Sequence, residues 1–138
     1  MKKILLSVCL FTTLIGGPCI AQVTDTPCAN GAGIVVKGAI QGEYCISTKF
    51  MNWWNAMAWC DGMRMKPLTK QDCACGNTTA DCAYDQCPNF KNLSTSTVTW
   101  YWVNMPDGPQ KAQGLQMVDG KMGNGYDRSA SLRYAICK

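Results

Sequence analysis

The chain has 138 residues, ten of them cysteine and none histidine, with a formal net charge of +4. That length fits one domain of ordinary size, and the lack of histidine excludes Ser-His and Cys-His nucleophiles and histidine-bearing metal sites. The charge is mild and no basic run could follow a phosphate backbone, so nucleic acid is not an expected partner.

The chain opens with Lys2 and Lys3, an apolar run from Ile4 to Ile15, then Gly16, Gly17, Pro18 and Cys19-Ile20-Ala21. Positive, apolar and small residues in that order form a secretory signal peptide, with cleavage expected after Ala21. The apolar run of about 12 residues is too short for a bilayer, which takes roughly 20. Cys19 would suit a lipoprotein signal, but Pro18 stands where a small flexible residue is wanted. The sequence thus predicts a signal peptide over 1–21 and one domain over 22–138. That domain is exported to the periplasm, the cell surface or the medium, and nothing after residue 22 is apolar enough to span a membrane.

Cys9 and Cys19 leave with the signal, and eight cysteines stay: Cys28, Cys45, Cys60, Cys73, Cys75, Cys82, Cys87 and Cys137. An even count in an exported chain argues for four disulfides, whose pairing arithmetic alone does not decide. A zinc site is the rival, since Cys73-x-Cys75 and Cys82-x4-Cys87 bring four thiols close in sequence. Zinc takes thiolates, however, and an oxidising compartment removes them.

Residues 22–33 are polar and Gly-rich, a loose lead-in. Ile34–Ile40 and Tyr44–Thr48 read as strands. The spacing predicts a helix over 52–62: Asn52 is a good N-cap, Trp53, Ala56 and Cys60 fall on one face, and Gly62 suits a left-handed stop. Trp53 and Ala56 then belong to the core, Trp54 is half-buried, and Trp59 covers the core edge or meets the following loop. A second helix is expected from Thr69, which makes a capping-box-like pair with Asp72. Residues 73–97 read as a long loop folded around its own disulfides, and its two glycosylation triplets, at Asn77 and Asn92, as chance. Val98–Val103 is a strand, Asp119-Gly120 marks a hairpin between Leu115–Val118 and Lys121-Met122, and Leu132–Cys137 is the last strand. The fold class expected is α+β, with two helices packed on antiparallel strands and a long disulfide-stapled loop.

Trp53-x-x-Ala56-x-x-x-Cys60, preceded by Tyr44-Cys45-Ile46-Ser47, resembles the first strand and first helix of the C-type lectin-like domain. Met65-x-x-Leu68 resembles the segment leading to its second helix, Trp100-Tyr101-Trp102-Val103 its tryptophan-bearing strand, and Tyr134-Ala135-Ile136-Cys137 its last strand. The resemblance spans roughly residues 40–138 and is closest to small exported bacterial members. It implies a Cys60–Cys137 disulfide and a Cys73–Cys87 disulfide, and with them Cys75–Cys82 nested inside and Cys28–Cys45 pinning the N-terminal strands.

Sugar binding in that family commonly uses calcium, held by a Glu-Pro-Asn or Gln-Pro-Asp loop and a Trp-Asn-Asp stretch. Calcium takes six to eight oxygen ligands. Here Asn104-Met105-Pro106-Asp107 puts Met in place of the first oxygen-bearing side chain, no Trp-Asn-Asp follows, and the lone glutamate, Glu43, is remote. No metal and no other cofactor is expected. No carboxylate pair is singled out for glycosidase chemistry. The sulfatase-activating oxidases, which share a related fold, are much larger and carry free reactive cysteines; enzymatic activity is not expected.

In this family ligands usually meet the loops far from the joined termini, here about residues 76–97, 104–114 and 123–130. Asn104, Asp107, Gln110, Asn124, Tyr126, Asp127 and Arg128 are the candidate ligand-binding residues. Tyr126 is suited to stack on a sugar ring or fill a protein pocket. The expected function is an exported, non-enzymatic recognition module that binds a protein or glycan through loops without calcium. The alternative is a structural or assembly subunit of a bacterial surface or envelope complex. Phe11-Thr12-Thr13-Leu14-Ile15 echoes a pilin-like start but lacks the preceding Gly and the following Glu. A variable-loop binder of the retroelement-diversified type shares the fold and is a third reading.

Overall fold

A computed structural model describes residues 23–29, 32–74, 85–94 and 99–138. In chain order these form β1 (Val23–Pro27), β2 (Gly33–Lys37), β3 (Glu43–Ser47), α1 (Trp53–Gly62), β4 (Gln86–Lys91), β5 (Trp100–Pro106), β6 (Lys111–Gln116), β7 (Asp119–Asp127) and β8 (Tyr134–Cys137). The strands make one sheet in the order β1-β2-β3-β8-β5-β6-β7-β4. Neighbours are antiparallel except β5 and β8, which run parallel with Tyr101 opposite Tyr134 and Trp102 opposite Ala135.

The described residues are therefore mostly β, with one helix on a mixed sheet, and the expected α+β class with two helices is corrected. The second helix is a single 3-10 turn, Lys70–Cys73. Its capping box is present: Asp72 Oδ2 accepts from the Thr69 N–H at 2.7 Å and from the Thr69 hydroxyl at 2.9 Å. Ala74 then turns left-handed at φ 56°. A cap starts a turn, but a helix in water needs an apolar face to extend it, and the left-handed Ala74 closes this one after a single turn.

Two strands replace expected loop. The lead-in contains β1, paired with β2. The supposed long loop contains β4, whose Cys87, Asn89 and Phe90 are buried and which pairs with β7. The disulfides Cys28–Cys45, Cys60–Cys137 and Cys73–Cys87 are formed, with Cα separations of 5.9, 5.6 and 4.4 Å. Cys75 and Cys82, and the nested pair implied for them, lie outside the described residues, as do the signal peptide and the Asn77 triplet.

Helix α1 forms where the spacing placed it. The Asn52 side-chain oxygen accepts from the Asn55 N–H at 2.9 Å, and the buried residues are Trp53, Ala56 and Cys60. The left-handed residue past its end is Arg64, at φ 57°, rather than Gly62. The helix lies against β8 and β5. The Trp53 indole N–H donates to the Val103 carbonyl at 3.0 Å, and the Trp102 indole donates to the Met51 carbonyl at 2.8 Å.

Strand periodicity sorts the core onto two faces. On the α1 face, Trp102, Ala112 and Ala135 pack with Trp53 and Ala56. On the opposite face, Tyr101, Val103, Leu115 and Ile136 pack with Val36, Tyr44, Leu68 and Phe90. Cys137 follows Ile136 and so projects toward α1, where Cys60 meets it.

Candidate functional site

Of the two sheet faces, the α1 side carries the densest collection of chemistry. Helix α1 lies mainly over β8 and β5, and the β6–β7 end of that face is roofed by side chains. Gly114 and Gly123 are the bed. A Cβ at Gly123 would come within 2.6 Å of the Tyr126 hydroxyl and 2.8 Å of the Trp100 ring, and one at Gly114 would sit 3.3 Å from both residues. Bare backbone there lets Trp100 and Tyr126 lie close to the sheet, their ring centroids 5.4 Å apart.

Arg133, one residue before β8, extends over these rings. Its guanidinium carbon is 4.1 Å from the Tyr126 centroid, 5.7 Å from Trp102 and 5.9 Å from Trp100. Its Nη1 donates to the Leu132 carbonyl at 3.1 Å. Its Nε is buried with no oxygen partner among the described residues, a cost that the surrounding ring faces offset in part.

A second arginine-on-tryptophan stack lies at the start of α1. The Arg128 guanidinium carbon is 4.5 Å from the Trp53 centroid and 5.5 Å from Trp54. Arg128 is buried and saturated: Nε donates to the Lys111 carbonyl at 2.8 Å and Nη2 to the Gly108 carbonyl at 3.0 Å. Its N–H donates to the Gln110 carbonyl, and its own carbonyl accepts the Trp53 N–H, both at 2.9 Å. Arg128 therefore fastens the β5–β6 turn to the helix N-terminus. Trp54 is left 54% exposed on top of that clamp, its ring edge-on to Trp53 with centroids 4.8 Å apart.

The residues singled out from the sequence divide among several places. Asp107 and Gln110 sit in the β5–β6 turn, where the Asp107 N–H donates to the Lys111 carbonyl at 2.9 Å, and Arg128 braces that turn. Tyr126 belongs to the Trp100–Arg133 stack. The Asp127 carboxylate accepts from the Ser129 hydroxyl at 2.7 Å, the Ser129 N–H at 2.8 Å and the Ala130 N–H at 2.9 Å. Those bonds, the Ala130 N–H foremost, hold its carboxyl below the ordinary carboxylate pKa. Asn104 and Asn124 are exposed on β5 and β7, and neither side chain bonds a neighbour among the described residues. The structure thus joins Asp107, Gln110 and Arg128 in one turn assembly and puts Tyr126 in a separate stack.

Sequence reasoning missed Trp100 and Arg133, and it expected Trp54 to be half-buried. The alternation Trp100-Tyr101-Trp102 held a usable signal, because it places both tryptophans on one face of a strand. Arg133 had none, since its position over Tyr126 follows from the parallel pairing of β8 with β5. Among the described residues no three His, Cys, Asp or Glu side chains converge as a metal site would need, and no helix is long and apolar enough to cross a membrane.

No family model, curated protein or solved structure matches the chain, so nothing in these comparisons identifies a C-type lectin-like domain.

Proposed function

We propose that this protein is an exported, non-enzymatic recognition module that binds a protein or glycan through the α1 face, without calcium. The observation that carries the reading is the exposed Trp54 ring over the Arg128 clamp, beside the Trp100–Tyr126–Arg133 stack. Aromatic and arginine side chains held rigid before a partner arrives lose little conformational freedom on binding, and they dominate measured recognition surfaces. Three disulfides are compatible with the oxidising environment that export provides.

The test is a binding screen with the oxidised chain 22–138 against a broad glycan array and against cell-envelope and secretion extracts. Trp54→Ala and Tyr126→Ala are the probes. Each is expected to weaken the principal interaction by about tenfold or more, and the thermal transition of Trp54→Ala is expected to stay within a few degrees of wild type. If no ligand from the screen is weakened by either substitution, recognition lies elsewhere and this assignment is refuted.

The assembly reading draws on a different observation. Phe50 and Leu132, 57% and 56% exposed, leave apolar side chains uncovered beside the Met51–Arg133 bridge. Sedimentation of the chain with envelope extract tests it: co-migration lost on Phe50→Ser and Leu132→Ser favours assembly, and a monomer throughout removes it.

A further inference from the structure

We propose a second binding site on the sheet face opposite α1, a cleft lined by Ile34, Ile46, Thr48, Thr99, Tyr101 and Tyr134 that takes a single neutral pyranose ring. The cleft encloses about 340 Å³, the small end of the range for ligand pockets, roughly 300 to 1,000 Å³. One sugar ring fits that space.

The pairing of the strands builds it. The parallel register of β5 and β8 sets Tyr101 beside Tyr134, with centroids 5.6 Å apart and planes inclined by 32°. The antiparallel register of β2 and β3 sets Ile34 opposite Ile46. Tyr101 is buried and forms the floor, while Tyr134 is half-buried and presents ring surface. Phe50 lies 4.2 Å from Tyr134 and prolongs the aromatic wall. Aromatic and aliphatic surface on one side, with hydroxyls on the rim, matches a pyranose, whose C–H face is apolar and whose edge is ringed with hydroxyls.

The polar chemistry of the lining narrows the ligand class. Among the described residues every polar side chain lining the cleft is a hydroxyl. A charged ligand would lose its hydration there with no counter-charge to replace it. The Tyr101 hydroxyl stays protonated, because burial and then the neighbouring Tyr134 push its pKa up to about 12. It is therefore a donor at any physiological pH. Ser47 serves the rim rather than the ligand: its hydroxyl donates to the Lys49 carbonyl at 2.8 Å and accepts the Ala135 N–H at 2.9 Å. That exchange replaces a ladder bond with a side-chain bond and fixes the end of β3.

This site shares no residue with the α1 face, so the two assignments stand or fall separately. The probes are the methyl glycosides of glucose, galactose, mannose and N-acetylglucosamine, measured by saturation-transfer NMR and calorimetry with the oxidised chain. At least one is expected to bind, with transfer strongest at its ring C–H protons. Tyr134→Ala is expected to weaken it about tenfold, and Thr99→Val, which keeps the side-chain shape, several-fold. Trp54→Ala is expected to leave it unchanged. If Tyr134→Ala does not fold, Tyr134→Phe with Thr99→Val carries the test. No binding by any of the four glycosides overturns the proposal. So does binding that survives Thr99→Val and Tyr134→Phe together, or preference for a plain phenol over every glycoside.

Discussion

Asn89 is fully buried and makes more bonds than any surface residue could usefully hold. Its side-chain oxygen accepts the N–H groups of Ile40 and Gln41, both at 2.9 Å. Its amide donates to the Gln41 carbonyl at 2.9 Å, the Asp72 carbonyl at 3.0 Å and the Tyr44 hydroxyl at 3.1 Å. One amide on β4 thus ties down both the β2–β3 turn and the 3-10 turn. Removing it leaves several buried donors and acceptors unpaired, so Asn89→Ala should cost about 3 kcal/mol in urea unfolding; a loss under about 0.5 kcal/mol would deny it that role. Tyr101 gives a pH prediction at the same scale. Its folded pKa is raised from an ordinary 10.0 to about 12 by burial. The neutral hydroxyl therefore contributes stability fully below about pH 10, and the contribution is lost as pH rises toward about 12. Ultraviolet titration should show tyrosines ionising late, since burial raises Tyr44 as well, and Tyr101→Phe should remove the step near 12. A full set of tyrosines ionising near 10 would contradict the burial of Tyr101.

At the scale of elements, α1 was legible because it carries its own local signal, and the β6–β7 hairpin only in outline: its turn is Met117-Val118, and Asp119-Gly120 open β7 instead of forming the turn. Asn52 caps and Trp53, Ala56 and Cys60 repeat at helical spacing; Asn52→Ala should cost about 1 kcal/mol, measured by chemical unfolding. The hairpin rests on Gly120, at φ +70°, where an added Cβ would meet the Cys87 carbonyl oxygen at 2.6 Å. Gly120→Ala should therefore destabilise the chain by about 2 kcal/mol or more, through both backbone strain and the clash with β4. An unchanged unfolding midpoint would mean that β4 does not lie against this hairpin. β4 itself was not legible. Pro88 and Asn89 interrupt any β pattern, and they are tolerated because this is an edge strand stapled by Cys87. β1 was hidden for a related reason, since Asp25 and Pro27 disfavour a strand that only pairing with β2 sustains. The 3-10 turn at Thr69 shows the converse: its cap was correctly visible, but the helix inferred from it lacked a face to bury.

For the whole molecule, the order of strands decides which side chains share a surface, and that order is nonlocal. β8, last in the chain, inserts between β3 and β5. Only then do Arg133 and Tyr126 meet on one face and Tyr134 and Tyr101 on the other, which is why neither group could be read from spacing. Tyr126 could be chosen from sequence for its chemistry, but its neighbours could not. The Cys60–Cys137 disulfide locks this insertion by joining α1 to β8 across 77 positions of chain. In the chain-entropy model a loop of that length is worth about 4.5 kcal/mol. The double change Cys60→Ser and Cys137→Ser should lower unfolding stability by a similar amount and loosen α1 first, as seen by amide exchange at Ala56.

Cys45 stands directly across from Cys137 in the β3–β8 ladder, so a cross-strand bond between those two is the nearest rival and would leave α1 unfastened. Mapping the partner of Cys137 in a non-reducing digest of the oxidised chain separates the two arrangements. The architecture described here requires a single cross-linked peptide that pairs Cys137 with Cys60. Recovery of Cys137 joined to Cys45, or as a free thiol, would contradict the placement of β8 and both faces built upon it.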